Sequence, residues 1–172
     1  MKRLLFISLV FATLAAVSAT AQDRFSRISE GDTFPEIMFT TIDGELLKSE
    51  DLTGKVVFYN FYFAACAPCI AQKSVLNELY DKFHSDDVVF ISLTSDNIET
   101  TKQFRDRHEV KFKVVSMNRE ERLQFAAGNF PTNILVGSDG KIVLKMTGNR
   151  ENRIRDRFSS AILSELQKLK SQ

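Results

Sequence analysis

Lys55-Val56-Val57-Phe58-Tyr59-Asn60-Phe61-Tyr62-Phe63 runs directly into Ala64-Ala65-Cys66-Ala67-Pro68-Cys69. The first nine residues are almost all apolar, aromatic or β-branched, the pattern of a strand buried on both faces. After Cys69 the period changes to that of a helix. Val75, Leu76, Leu79 and Phe83 fall on one side, with Lys73, Asn77, Asp81 and Lys82 elsewhere. The cysteines therefore stand where a central strand ends and a helix begins. Val88-Val89-Phe90-Ile91-Ser92-Leu93 reads as a second buried strand, and the strand–helix–strand unit is expected to be parallel and right-handed.

That position has chemical consequences. Cys66 falls at a helix N-terminus, where free backbone N–H groups and the macrodipole favour an anion. A thiolate in such a motif can have its pKa lowered from about 8.5 into the ~3.5–7.5 range. Cys66 is the expected attacker. Cys69, one turn on, is within disulfide reach and is expected to resolve a mixed disulfide by attacking the Cys66 sulfur. Pro68 suits a first helical turn, where no N–H is required, and with Ala67 it forms the dipeptide between the sulfurs. The competing reading is a static disulfide in a non-catalytic binding module.

Cysteine usage sharpens the choice. The 172 residues contain only these two Cys and two His. Structural zinc needs about four ligands, and His84 and His108 lie near predicted helix ends, far from the pair in sequence, so no metal is expected. Lys2 and Arg3 precede an apolar stretch from Leu4 to Val17, and Ala19-Thr20-Ala21 supplies a small-x-small site. Residues 1–21 are thus expected to be a secretory signal, leaving 22–172 as one domain outside the cytoplasm. An uncleaved N-terminal anchor is the alternative. Net charge is +1, or −1 without Lys2 and Arg3. Such a balance gives no electrostatic reason to expect a nucleic acid partner.

A second signal lies downstream. Phe130-Pro131-Thr132 precedes a strand expected over 133–137. Ser138-Asp139-Gly140 then marks a hairpin turn into a strand over 141–146. Pro131 stands where a missing N–H is tolerable. A cis bond there is compatible with the pattern, though the general rate is about 5–6%.

With these motifs in place, the chain resembles the thioredoxin superfamily and, more narrowly, the exported TlpA/ResA-like thiol–disulfide oxidoreductases. Gly31-Asp32-Thr33-Phe34-Pro35, Asp43-Gly44 and Leu52-Thr53-Gly54-Lys55 match that family's N-terminal hairpin and lead-in. Cys66-Ala67-Pro68-Cys69 matches its active site, and Phe130-Pro131-Thr132 its cis-proline segment. The resemblance implies an α/β thioredoxin-like fold: a central mixed β-sheet flanked by helices, with an N-terminal β-hairpin and a central helix/strand insertion. It implies that Phe130, Pro131 and Thr132 bind substrate, which pairs as an added strand. It also implies reduction of protein disulfides, with no cofactor beyond the redox-active pair. An apocytochrome c haem-attachment motif is one substrate of that class, and a membrane electron donor is implied with it. The implied potential lies between about −270 and −180 mV.

Departures from the family pattern are equally specific. Ala65 replaces the usual Trp, while an aromatic is kept at Tyr62. Gln72 stands where many relatives carry Glu, and Asn60 where thioredoxin carries a buried acid. The resemblance thus leaves no side chain to exchange a proton with Cys69. Phe63 stands where a peroxiredoxin-type peroxidase would need Thr, and the Cys spacing is too short for a copper-delivery protein.

The remaining segments fit an elaborated core. Asn97 or Asp96 is expected to cap a helix through Arg107, with Ile98, Thr101 and Phe104 on one side. A short strand is expected over 113–116, and a helix over 119–127 ended by Gly128. A last helix over 151–169 is expected to bury Ile154, Phe158, Ile162, Leu166 and Leu169. Arg150, Arg153, Arg155 and Arg157, interrupted by Glu151 and Asp156, read as its solvated mixed face.

Overall fold

Alternation along one strand organises both layers of the molecule. The computed structural model describes residues 28–118, 121 and 129–171. In it the aromatic run forms β3 (Val56–Tyr62), buried at every position. Val56, Phe58 and Tyr62 enter one apolar cluster, while Val57, Tyr59 and Phe61 enter another. The two-residue repeat of a strand requires this division.

Around β3 lie β4 (Val88–Thr94), β5 (Lys113–Ser116), β6 (Thr132–Val136) and β7 (Ile142–Thr147). The sheet order is β5-β4-β3-β6-β7. β3, β4 and β5 run parallel, β6 is antiparallel to β3, and β7 is antiparallel to β6. A separate hairpin joins β1 (Met38–Thr40) to β2 (Leu46–Lys48). Its loop reaches the open side of β5, where Ile42 N–H donates to the Val114 carbonyl at 2.8 Å. That contact occupies part of an edge that would otherwise offer unpaired backbone groups.

The helices are α1 (Ala67–Ala71), α2 (Lys73–Phe83), α3 (Ile98–Arg107) and α4 (Glu151–Lys170). α2 and α4 cover one face of the sheet through Val75, Leu76, Leu79, Ile154, Phe158 and Ile162. The N-terminal segment covers the other face with Ile28, Phe34, Ile37, Phe39 and Leu47. Phe34 stacks on Tyr59 with ring centroids 4.3 Å apart. Phe158 is fully buried and meets Phe58 edge-on at 4.9 Å. Phe158→Ala removes that ring from a closed site, and we expect a loss of about 3–5 kcal/mol in urea unfolding. A loss below about 1 kcal/mol would mean that the cluster relaxes around the gap.

Most expected elements are present, and the exceptions have physical reasons. Asn97 caps α3, its Oδ1 accepting the Thr100 N–H at 2.8 Å. Ile98, expected on the buried side, is 55% exposed, because it lies in the first turn before the helix meets the sheet; Thr101 and Phe104 are buried. In α4 the stripe ends at Ile162. Glu165 is buried instead, paired with Lys168 at 2.5 Å, and Leu166 and Leu169 are half-buried. The β6–β7 turn is shifted by one residue from expectation: Gly137 and Lys141 close it, and Gly140 has φ +76°. The expected signal over 1–21 and the expected 119–127 helix with Gly128 lie outside the described residues, apart from Glu121.

Candidate active site

Three short segments converge at the carboxyl end of β3. The chain leaves β3 at Tyr62 and is held by Asp96, whose Oδ2 accepts the Ala64 N–H at 2.6 Å and the Thr94 hydroxyl at 2.8 Å. Cys66 follows as the N-cap of α1, and its Sγ accepts the Cys69 N–H at 3.2 Å. Pro68 sits in the first turn of α1. Cys66 and Cys69 are joined by a disulfide with a Cα–Cα distance of 5.2 Å. Ala67 and Pro68 are exposed above it, whereas Cys66 is 4% exposed and Cys69 is not exposed at all. Of the pair, only Cys66 keeps any exposure.

The 130–132 segment lies beside this loop. Phe61 of β3 pairs with Thr132 of β6, so the chain entering β6 runs alongside the chain leaving β3. Phe130 meets Phe63 edge-on at 5.4 Å, and the Phe130–Pro131 bond is cis. Pro131 is buried, and its carbonyl accepts the Gly148 N–H at 2.8 Å. The Thr132 hydroxyl donates to the Asn129 carbonyl at 2.5 Å.

A row of polar side chains runs across the helix-covered face of the sheet. Asn60 pairs in register with Ser92 of β4 and with Asn133 of β6, so these three side chains stand abreast. Lys73 Nζ donates to Asn60 Oδ1 at 2.7 Å, and the Ser92 hydroxyl reaches the same oxygen at 3.3 Å. Asn60 Nδ2 donates to Asn133 Oδ1 at 2.8 Å, and Asn133 Nδ2 to Gln72 Oε1 at 3.0 Å. All five residues are buried. Asn60 and Gln72 are thus joined through Asn133 in one row.

Lys73 corrects the sequence reading, which set it on the polar side of α2. Its side chain is 3% exposed, and its ammonium lies 4.1 Å from the centre of the Tyr62 ring and 5.4 Å from that of Phe104. Burial lowers its pKa from 10.5 to about 7. The signal was available: Lys73 follows Cys69 by four residues and precedes Leu76 by three, which puts it on the apolar face. Asp96, weighed only as a cap, was likewise missed as the anchor of the cysteine loop. His84 and His108 remain at the ends of α2 and α3, stacked on Tyr80 and packed on Phe104. Among the described residues no cluster of ligands suited to a metal ion is present.

Residues 29–161 match the Redoxin family model. The chain belongs to the redoxin family. The thiol-disulfide oxidoreductase ResA of Bacillus cereus is 31% identical to this redoxin over 156 residues, covering 86% of this chain and 90% of the relative. ResA of Geobacillus kaustophilus is 25% identical over 147 residues, covering 82% and 84%. Among solved structures, the thioredoxin domain of a thiol-disulfide oxidoreductase from Bacteroides vulgatus superposes with a TM-score of 0.69 at 21% identity, covering 78% of this chain and 99% of that domain. A thiol:disulfide interchange protein from Bacteroides sp. gives 0.67 at 22% identity, covering 77% and 90%. Those two show the thioredoxin fold. Family, fold and the bonded pair together make this redoxin a thiol–disulfide oxidoreductase.

Proposed function

We propose that this redoxin works outside the cytoplasm as a reductant of protein disulfides, with Cys66 as the attacking sulfur and Cys69 as the resolving one. The observation that carries the reading is the asymmetry of the pair: Cys66 borders solvent and receives a backbone N–H, whereas Cys69 is sealed beneath it. In the reduced protein the Cys66 thiolate attacks a substrate disulfide. One S–S bond forms to Cys66, and the substrate's own bond breaks to release a thiolate. The Cys69 thiolate then attacks Cys66 Sγ, displacing the second substrate thiolate and restoring the Cys66–Cys69 bond. Two electrons pass to the substrate, so a donor must return two to the pair.

The Phe130 backbone, with Pro131 and Thr132, serves as the platform for an extended substrate segment. The leader-like pattern over 1–21 supports export. In that setting the substrate class includes the haem-attachment disulfide of an apocytochrome c, and a membrane protein supplies the electrons.

The test is the redox potential of the pair, measured by equilibrating the protein in defined thiol buffers and trapping free thiols. A reversible couple below about −200 mV is expected. A value near about −120 mV would make the protein an oxidant instead. A pair that never exchanges would leave a binding module with a structural disulfide.

A further inference from the structure

Two charged side chains are almost wholly buried among the described residues, and they differ in one respect. Glu165 is met by Lys168. Lys73 meets no carboxylate among the described residues. Its partners are an amide oxygen of Asn60 and the faces of Tyr62 and Phe104. Ring faces and one hydrogen bond offset only part of the cost of desolvating an ammonium.

An ammonium donates and cannot accept. Asn60 must therefore turn Oδ1 to Lys73 and Nδ2 to Asn133. Asn133 must then accept with Oδ1 and donate onward to Gln72 Oε1. Every bond in the row runs in one direction, from Lys73 to Gln72. Gln72 Nε2 is buried and has no hydrogen-bond partner among the described residues. The row thus begins and ends on consecutive residues, Lys73 and Gln72, four and three places after Cys69, where Gln72 joins α1 to α2. Tyr62, under the Lys73 ammonium, belongs to the same packed cluster as Cys66 and Cys69.

We propose that Lys73 is a positioning residue for the resolving step, its amine gaining a proton as Cys69 ionises and its charge then balancing the Cys69 thiolate. The inference rests on the redox reading above. In the mixed disulfide the proton lost by the Cys69 thiol is taken up by the Lys73 amine. The Cys69 thiolate attacks Cys66 Sγ, the bond from Cys66 to substrate breaks, and the substrate leaves as a thiolate. Once the Cys66–Cys69 bond has formed no thiolate remains to be balanced, and the ammonium returns its proton to water. Two electrons leave the protein, and the proton count closes. Burial places the Lys73 equilibrium near pH 7, where both forms are present for this exchange.

Few other groups titrate near Lys73. From β3 it meets Asn60 and Tyr62 and from α3 Phe104, while Ser92 of β4 shares the Asn60 oxygen. The Tyr62 phenol is held protonated by burial and by Asp96, against the opposing effect of Arg105. His108 of α3 is pushed down by burial, by Arg107 and by Lys73 itself.

The test uses the wild-type chain, with carbon-13 in the lysine side chains, titrated by NMR in the oxidised form and in the form reduced with excess dithiothreitol. The Lys73 midpoint is expected near pH 7 when oxidised and higher when reduced. An equal midpoint in both forms overturns the proposal. A second measurement follows release of the two thiolates when the reduced protein meets an aromatic disulfide. In Lys73→Met the second release is expected to slow by about tenfold and to lose its inflection near pH 7, with the first release kept. Lys102→Met, at an exposed lysine of α3 outside the site, is expected to keep that inflection. An unchanged profile in Lys73→Met overturns the proposal. If the wild-type pair exchanges normally and either result is negative, this inference alone fails. If the pair does not exchange at all, the redox reading fails with it.

Discussion

Cys66→Ala is expected to reduce turnover of a disulfide substrate to background, a fall of roughly a thousandfold or more. Cys69→Ala is expected to attack once and then stall. The difference follows from burial. Cys66, at the N-cap of α1, keeps slight exposure, and its Sγ receives the Cys69 N–H at 3.2 Å, which favours its thiolate. Cys69 has no exposed surface, so no protein substrate reaches it. Without Cys66 the remaining sulfur is sealed. Without Cys69 the first mixed disulfide has no internal resolving thiol and accumulates one to one. Mass spectrometry of each variant after a single addition of a peptide disulfide separates these outcomes. A Cys66→Ala protein that becomes modified at Cys69, or a Cys69→Ala protein that turns over freely, would reverse the assignment of roles.

The second large effect is on stability and has an unusual pH profile. Lys73 titrates at 10.5 when unfolded and at about 7 when folded. Between these values the unfolded chain binds more protons, so stability rises with pH across this window and is lost as pH falls through 7. The full difference amounts to about 5 kcal/mol at most. Tyr59 and Tyr62 act oppositely. Burial raises both phenols above their ordinary value of 10.0, so their contribution is complete below pH 10 and is lost as pH rises beyond it. Urea unfolding of the oxidised protein is therefore expected to show stability rising from pH 7 to a maximum near pH 10, then falling. Lys73→Met removes the buried amine and keeps most of its volume. It is expected to be more stable than wild type at pH 7 and to have a flat profile up to pH 10. A Lys73→Met protein less stable than wild type at pH 7 would show that the hydrogen bond to Asn60 outweighs the cost of burial.

The two predictions concern neighbouring stretches of chain, the cysteine pair of α1 and Lys73 at the start of α2, yet they differed in how plainly the sequence marked them. Cys66 and Cys69 announced themselves through the strand before them and the change of period after them. Lys73 was hidden by its own chemistry. A lysine reads as solvated, and only the i+4 spacing from Cys69 contradicted that reading. Asn60 and Gln72 were noticed as absences of a carboxylate. In the fold they are a connected polar row, completed by Asn133 and Ser92, which nothing in their sequence positions, 60, 72, 92 and 133, brings together.

The sequence by itself determined whatever depends on a local period or a local hydrogen bond. Unbroken apolar runs gave β3 and β4 as buried strands, Asn97 gave the start of α3, and Asp139-Gly140 gave the hairpin into β7. The Cys66–Cys69 spacing fixed the chemistry at the start of α1. Tertiary structure decided what depends on register between distant strands. The pairing of Asn60 with Ser92 and Asn133 set the polar row, the docking of α2 buried Lys73 against Tyr62, and the alignment of Phe61 with Thr132 carried Phe130 to Phe63. Periodicity tells which face of an element is buried. It does not tell which side chains of other elements stand opposite, because that is fixed by the packing of the whole sheet.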